Sequence, residues 1–266
     1  MIRKEEVMNY WDNSPCAFQF PDTTPEWFER EEELRYSDQP YIHSFVQFSR
    51  WCHRRILEIG VGVGVDFSQF ARSGADAIGV DLSYHSIKIA KRRIDLENLS
   101  AHLVRADAET LPFISSNFDL IYSWGVIHHT PSPEKAVAEV YRCLKPGGSL
   151  RMMFYRRFSG MGLKLYLKYA LFKGRPMIRL TKLFRECQES PGTKAYNVGE
   201  LKKLFKSFEK IQFQYFPYDV LALRRRLGHF ADLTVLFPRF LFSWIGVRGE
   251  KGLAPCAGTK ECSTGF

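Results

Sequence analysis

The chain has 266 residues, 45% of them hydrophobic and 25% charged, which is ordinary for a globular protein and enough for one large α/β domain with additions or for two small domains. Charge is distributed unevenly: residues 1–150 hold 16 Lys and Arg against 21 Asp and Glu, whereas residues 151–266 hold 22 against 8. This pattern predicts an acidic body with a basic flank, whose partner is a membrane surface, an anionic substrate or nucleic acid.

In chain order, the first six residues have no apolar run behind them, so a secretory signal is not expected. Three helices are predicted over Glu5–Trp11, Pro25–Tyr36 and Pro40–Phe48, with Thr24 capping the second and Pro25 at its first helical position. Residues 1–50 thus form a helical lid. Its candidate contacts with a ligand are Tyr10, Trp11, Asp12, Arg35 and Tyr36; ordinary packing explains them equally well. From residue 51 short β-rich runs alternate with helical patterns. Strands are expected over Arg55–Ile59, Ala77–Leu82, Ala101–Ala106, Phe118–Ser123 and Ser149–Tyr155. Helices are expected over Val65–Ala71, after an N-cap at Ser83, and over Pro133–Leu144, the last closed by Lys145-Pro146-Gly147-Gly148. This alternation predicts a parallel, doubly wound sheet over residues 51–156.

Beyond it, helices are predicted over Met161–Phe172, Met177–Cys187, Val198–Phe208, Asp219–Gly228 and Phe230–Phe242, and strands over Glu209–Phe216 and Trp244–Arg248. Residues 157–250 read as a helical insertion with the last two strands, and 251–266 as a disordered tail, the small polar run beginning at Gly249. The apolar stretch Val235–Val247 is broken by Pro238 and Arg239 and is too short and polar to span a bilayer. The six cysteines follow no metal or disulfide spacing, which suits free thiols in a reducing cytoplasm.

The segment Glu58-Ile59-Gly60-Val61-Gly62-Val63-Gly64 sits where the first strand meets the first helix, where glycines let the backbone turn sharply and approach a ligand. A dinucleotide fingerprint needs glycines at one, three and six; here the third falls at five, with Val65 at six. No Gly-Lys-Ser/Thr follows, which excludes a phosphate-binding P-loop. Asp81, ending the second strand, can accept both hydroxyls of a ribose, or it is an acid at a helix start. Asp107 follows the third strand and is a candidate for an adenine amino group, or a loop acid.

Together these segments resemble the class I S-adenosylmethionine-dependent methyltransferases of the small-molecule type that includes the ubiquinone and menaquinone enzymes. The matching pieces are the glycine loop, Val80-Asp81-Leu82-Ser83, Asp107-Ala108-Glu109-Thr110-Leu111-Pro112-Phe113, Phe118-Asp119-Leu120-Ile121-Tyr122-Ser123 and Leu144-Lys145-Pro146-Gly147-Gly148. The resemblance implies a Rossmann-like, seven-stranded α/β sheet with an antiparallel last strand. It implies that Glu58 orients the methionine end of S-adenosylmethionine and that Gly60, Gly62 and Gly64 line it. Asp81 then binds the ribose, Asp107 and Ala108 flank the adenine, and Leu82 and Ser123 complete the cofactor set. Within Trp124–Thr130, His128 is the candidate general base, because imidazole titrates near neutrality; a shaping role for both histidines is the alternative. No third ligand has suitable spacing, so no metal is expected.

The expected activity is methyl transfer to O, N or C of a small-molecule or lipid-like acceptor by a cytoplasmic enzyme. Aminopropyl transfer, a catalytically silent S-adenosylmethionine-binding protein and a nucleic-acid methyltransferase are the rival readings; the last lacks an Asn/Asp-Pro-Pro-Tyr motif. Lys and Arg interleaved with large apolar residues over 156–175 and 224–240 suit a peripheral contact with the inner membrane surface. Core-facing helices with solvated cations are the alternative.

Overall fold

The computed structural model describes residues 4–13, 23–217 and 242–253. The chain enters through α1 (Lys4–Asn13), α2 (Pro25–Asp38) and α3 (Tyr41–Val46). Thr24 caps α2 as expected, its Oγ1 accepting from the Trp27 N–H at 3.2 Å. An alternating unit follows: β1 (Arg55–Ile59), α4 (Val65–Arg72), β2 (Asp76–Asp81), α5 (Tyr84–Leu96), β3 (His102–Arg105), β4 (Phe118–Trp124), α6 (Pro133–Cys143) and β5 (Leu144–Tyr155). Then come α7 (Gly160–Tyr169), α8 (Leu180–Cys187), α9 (Val198–Leu204), β6 (Glu209–Phe216) and β7 (Trp244–Glu250).

The seven strands lie in the order β3-β2-β1-β4-β5-β7-β6. The first five are parallel, and β7 runs antiparallel to both β5 and β6. The sheet is buried on both faces because side chains alternate along each strand. Ile56, Leu120 and Tyr122 face Phe67, Phe70 and Ala90 on one side. Leu57, Ile121, Met152 and Phe154 face Val137, Val140, Leu201 and Phe205 on the other. Strand order reverses between β1 and β4, which opens a crevice beyond the carboxyl ends of the strands.

Several expected bounds change: α3 ends at Val46, α7 ends at Tyr169 and α8 starts at Leu180. β5 starts at Leu144, five residues earlier than the pattern suggested, because Leu144 pairs with Phe118 before a register shift lets Ser149 pair with Leu120. Gly147, at φ +74, makes the turn inside that irregularity. The last strand runs past Gly249 to Glu250, and Lys251 stays tied to β5, its N–H donating to the Gly148 carbonyl at 2.9 Å. α9 ends at Leu204 rather than Phe208, capped by Phe205, whose N–H donates to the Leu201 carbonyl at 2.9 Å. The helices expected over 219–228 and 230–242 and most of the expected tail, residues 254–266, lie outside the described residues.

Candidate functional site

A cavity of about 410 Å³ opens at the switch point, lined by residues from the carboxyl ends of β1, β2, β4 and β5 and from α1. Gly60 has φ +82, and a Cβ there would stand 2.1 Å from Val126 Cγ2, so only glycine fits between the loop and the segment after β4. Gly62 has φ +53, and its N–H donates to Asp81 Oδ2 at 3.0 Å. The Ser83 N–H donates to Asp81 Oδ1 at 2.9 Å. Each carboxylate oxygen thus spends one lone pair on backbone and keeps another for a ligand in the cavity. Burial pushes the Asp81 carboxyl up to about 6, against the pull of these backbone donors.

Asp107 accepts from the Glu109 N–H at 2.9 Å and from Lys4 Nζ, which also pairs with Glu109 Oε2 at 3.3 Å. A second strut links Asp12 Oδ1 to Ser83 Oγ at 2.7 Å, and Ser83 also caps α5 by accepting from the Ser86 N–H at 3.1 Å. α1 is therefore fastened across the cavity at both ends, and its Val7, Tyr10 and Trp11 form part of the lining.

Of the predicted site residues, Gly60, Gly62, Asp81, Leu82, Asp107 and Ala108 line this one cavity. Glu58, Gly64, Ser123 and His128 do not. Gly64 serves the start of α4, where an added Cβ would press on Ala90 at 3.2 Å. Ser123 ties β4 to β1, its Oγ donating to the Ile59 carbonyl at 3.0 Å. Glu58 is buried behind the loop; burial and the nearby Asp66 carboxylate raise it well above the usual carboxylate range, and its Oε2 has no hydrogen-bond partner among the described residues. Asp66 holds the charge instead, accepting from Arg35 Nη2 at 2.6 Å, Tyr122 Oη at 2.6 Å and Tyr36 Oη at 3.0 Å. Arg35, a candidate contact with a ligand, thus already has an internal partner while still lining the cavity.

Of the two adjacent histidines, His129 and not His128 lines the cavity. His128 is fully buried, its ring 4.2 Å from that of Tyr155, and burial holds its pKa well below the usual histidine range. Such an imidazole is neutral and walled off. His129 lines the cavity, with Trp11 edge-on at 5.2 Å. Its Nδ1 lies 2.8 Å from Ser190 Oγ and 3.0 Å from Thr193 Oγ1, and its Nε2 lies 3.3 Å from Glu189 Oε2. Glu189 Oε1 accepts from Tyr155 Oη at 2.7 Å. Burial alone would raise this carboxyl; His129, Tyr155 and Gln188 outweigh it and hold it below the ordinary range. Trp124, Met153, Tyr155 and Trp244 complete an aromatic, apolar end. The sequence offered no signal for Glu189, which lies in a loop between α8 and α9 with no fixed spacing to any motif. Among the described residues no cluster could hold a metal ion.

Residues 57–152 match the family profile described as Methyltransferase domain. A demethylmenaquinone methyltransferase of Tropheryma whipplei (strain Twist) is 26% identical over 209 residues, covering 72% of this chain and 86% of that protein. A phthiotriol/phenolphthiotriol dimycocerosates methyltransferase of Mycobacterium ulcerans is 38% identical over 125 residues, 44% of this chain and 45% of that protein. Among solved structures, phosphoethanolamine N-methyltransferase 2 of Haemonchus contortus in complex with S-adenosyl-L-methionine shares the fold, with TM-score 0.63 and 17% identity over 95% of this chain and 60% of that one.

Proposed function

This chain carries a class I S-adenosylmethionine-dependent methyltransferase domain, and on that premise we infer how its cavity receives the methyl donor and what reaches it. The protein transfers a methyl group from S-adenosylmethionine to a small-molecule or lipid-like acceptor. The observation that carries the placement of the donor is Asp81, whose two oxygens are each oriented by one backbone N–H and turned to the cavity beside Gly60 and Gly62. The ribose hydroxyls donate to it. Leu82 and Ala108 give the adenine apolar contact, and Asp107 faces its amino group, with Lys4 holding the carboxylate from the lid.

The sulfonium supplies an already activated methyl group. The chain's own contribution is alignment and exclusion of water. α1 closes one side, and Trp11, Trp124, Met153, Tyr155 and Trp244 form an apolar chamber for the acceptor. Titration calorimetry of the parent and Asp81→Ala with S-adenosylmethionine tests the donor site. A variant that binds as tightly as the parent removes the ribose assignment. Incubation with extracts and mass detection of the methylated product identifies the acceptor.

Peripheral membrane contact is part of the same reading. Phe158, Leu163, Leu171, Phe172 and Met177 are exposed within one stretch of twenty residues. Exposed Lys164, Lys168, Lys173, Arg175 and Lys182 stand among them. The amphipathic pattern is only half used by the core: Met161 and Leu165 of α7 and Leu183 and Phe184 of α8 are buried, and the others face outward. Cations interleaved with exposed large apolar groups suit an anionic bilayer surface from which a lipid-like acceptor enters. Among the described residues no helix is long and apolar enough to cross a membrane.

A further inference from the structure

Three arginines meet where the segment between α3 and β1 covers the sheet, and none of them lines the cavity. Arg151 of β5 and Arg248 of β7 are register partners across the antiparallel pair. Arg50 lies in the short helical turn Phe48–Trp51 that precedes β1. Arg50 Cζ and Arg151 Cζ stand 5.8 and 5.9 Å from the centre of the Trp51 ring, which is itself fixed by its Nε1–H donating to the Val46 carbonyl at 3.0 Å. Arg248 Cζ stands 4.7 Å from the centre of the Phe45 ring, and its Nη2 donates to the Ser44 and Phe45 carbonyls at 3.1 and 2.9 Å. Aromatic faces and helix-end carbonyls thus position the guanidinium groups.

The cluster lacks a counter-charge. A buried guanidinium ordinarily has a carboxylate beside it. Elsewhere this chain obeys the rule, pairing Arg35 with Asp66 and Arg93 with Glu32 and Glu97. Arg151 is only 8% exposed, yet its one hydrogen bond runs from Nη1 to the carbonyl of its neighbour Leu150 at 2.9 Å. The Nε atoms of Arg151 and Arg248 are buried without a partner. Among the described residues none of the three arginines has an ion pair. Glu250, the acid that bears on Arg151, is already held by Lys210 Nζ at 2.6 Å. Burial, and then Arg248 and Arg50, bring the Arg151 guanidinium down to about 10, so it is still charged at neutral pH.

We propose that Arg50, Arg151 and Arg248 form a binding site for a phosphate dianion, supplied free or as the phosphomonoester end of a small molecule. The site is separate from the methyl-transfer cavity and does not depend on what that cavity binds. The forks come from three different elements, β5, β7 and the turn before β1, so their N–H groups approach a common point from several directions. A tetrahedral group with three free oxygens and two negative charges answers such a set, whereas a carboxylate offers two coplanar oxygens and one charge. The bound anion supplies the counter-charge that the fold withholds and ties the α3–β1 segment to β5 and β7.

The test titrates the full chain with inorganic phosphate and with glycerol 3-phosphate by calorimetry at about pH 8, where both are dianions, and follows thermal unfolding against chloride at matched ionic strength. The parent should bind one phosphate per chain, and its Tm should rise by about 5 °C or more at ~100 times the dissociation constant. Tighter binding of the ester assigns the site to a phosphomonoester, and tighter binding of inorganic phosphate to the free ion. Arg151→Met and, at the exposed position, Arg50→Gln should each weaken binding by about tenfold or more. In chloride Arg151→Met should be as stable as the parent or more so, because it removes an unpaired buried charge while keeping most of the side-chain volume. Saturating S-adenosylmethionine should leave phosphate binding in place. A parent that binds neither probe, variants that bind as tightly as the parent, or competition by S-adenosylmethionine that puts the phosphate in the cavity would overturn the site. So would an Arg151→Met variant that is much less stable than the parent in chloride, since Arg151 would then serve the fold and need no anion.

Discussion

A carboxylate that accepts two ribose hydroxyls has to be ionised, and burial pushes Asp81 up to about 6. Donor affinity should therefore be full well above pH 6 and fall as pH drops through it, by about tenfold per unit. In the ligand-free protein the sign is opposite. A carboxyl raised by folding adds stability as pH falls from about 6 toward the unfolded value near 4. Calorimetry at several pH values checks the first effect, with Asp81→Ala expected to bind about 1.5–3 kcal/mol more weakly well above pH 6 and to lose the dependence below it. At His128 the expectation is reversed from the one its sequence context suggests. Because the ring is buried behind the lining and neutral, His128→Phe should leave turnover within about fivefold of the parent, against the ~10²–10⁴ expected of a true base. A larger fall at unchanged cofactor affinity would return His128 to the chemistry.

Two elements carry the lid and its counterpart. α1 reaches the cavity through Lys4 to Asp107, Asp12 to Ser83 and Trp11 to His129. Removing residues 1–13 should leave the sheet folded and speed cofactor release by about tenfold or more, as for a lid that gates release; stopped-flow displacement reads this directly. α9 is started by a full capping box: the Asn197 side chain accepts from the Glu200 N–H, and the Glu200 side chain accepts from the Asn197 N–H, each at 2.9 Å. Asn197→Ala should cost about 1 kcal/mol in chemical denaturation. α9 also packs Leu201 against the sheet, so the loss should appear in the global transition rather than as local fraying.

Across the molecule, the uneven charge seen in the sequence becomes a surface. The acidic half builds most of the sheet and the donor site, and the basic half brings α7 and α8 with their exposed apolar residues. The protein should sediment with anionic vesicles at low salt and not with neutral ones. Phe172→Ser with Met177→Ser should release most of it, and added salt should weaken binding, since each cation near the surface contributes on the order of 1 kcal/mol. A parent that stays in the supernatant with anionic vesicles would leave the patch without a bilayer partner and favour a soluble acceptor.

The sheet, its strand positions and the donor end of the cavity are legible in the amino-acid sequence. Those features rest on local rules: two-residue alternation in the strands, glycine where φ is positive at Gly60 and Gly62, and an acid at the end of β2. Each is written within a few neighbouring residues, so Asp81 and Asp107 can be picked out by pattern, and Leu82 and Ala108 by the family resemblance, as residues that line the cavity. Which histidine faces the cavity is a tertiary matter, because the turn after β4 rotates two adjacent side chains to opposite environments. So are the place of Glu58 behind the loop and the pairing of Arg35 with Asp66. Glu189 stands about sixty residues from His129 along the chain and meets it only because the loop after α8 folds back onto the turn. Such a contact is fixed by packing between distant elements, and no periodicity, cap or spacing in the sequence encodes it.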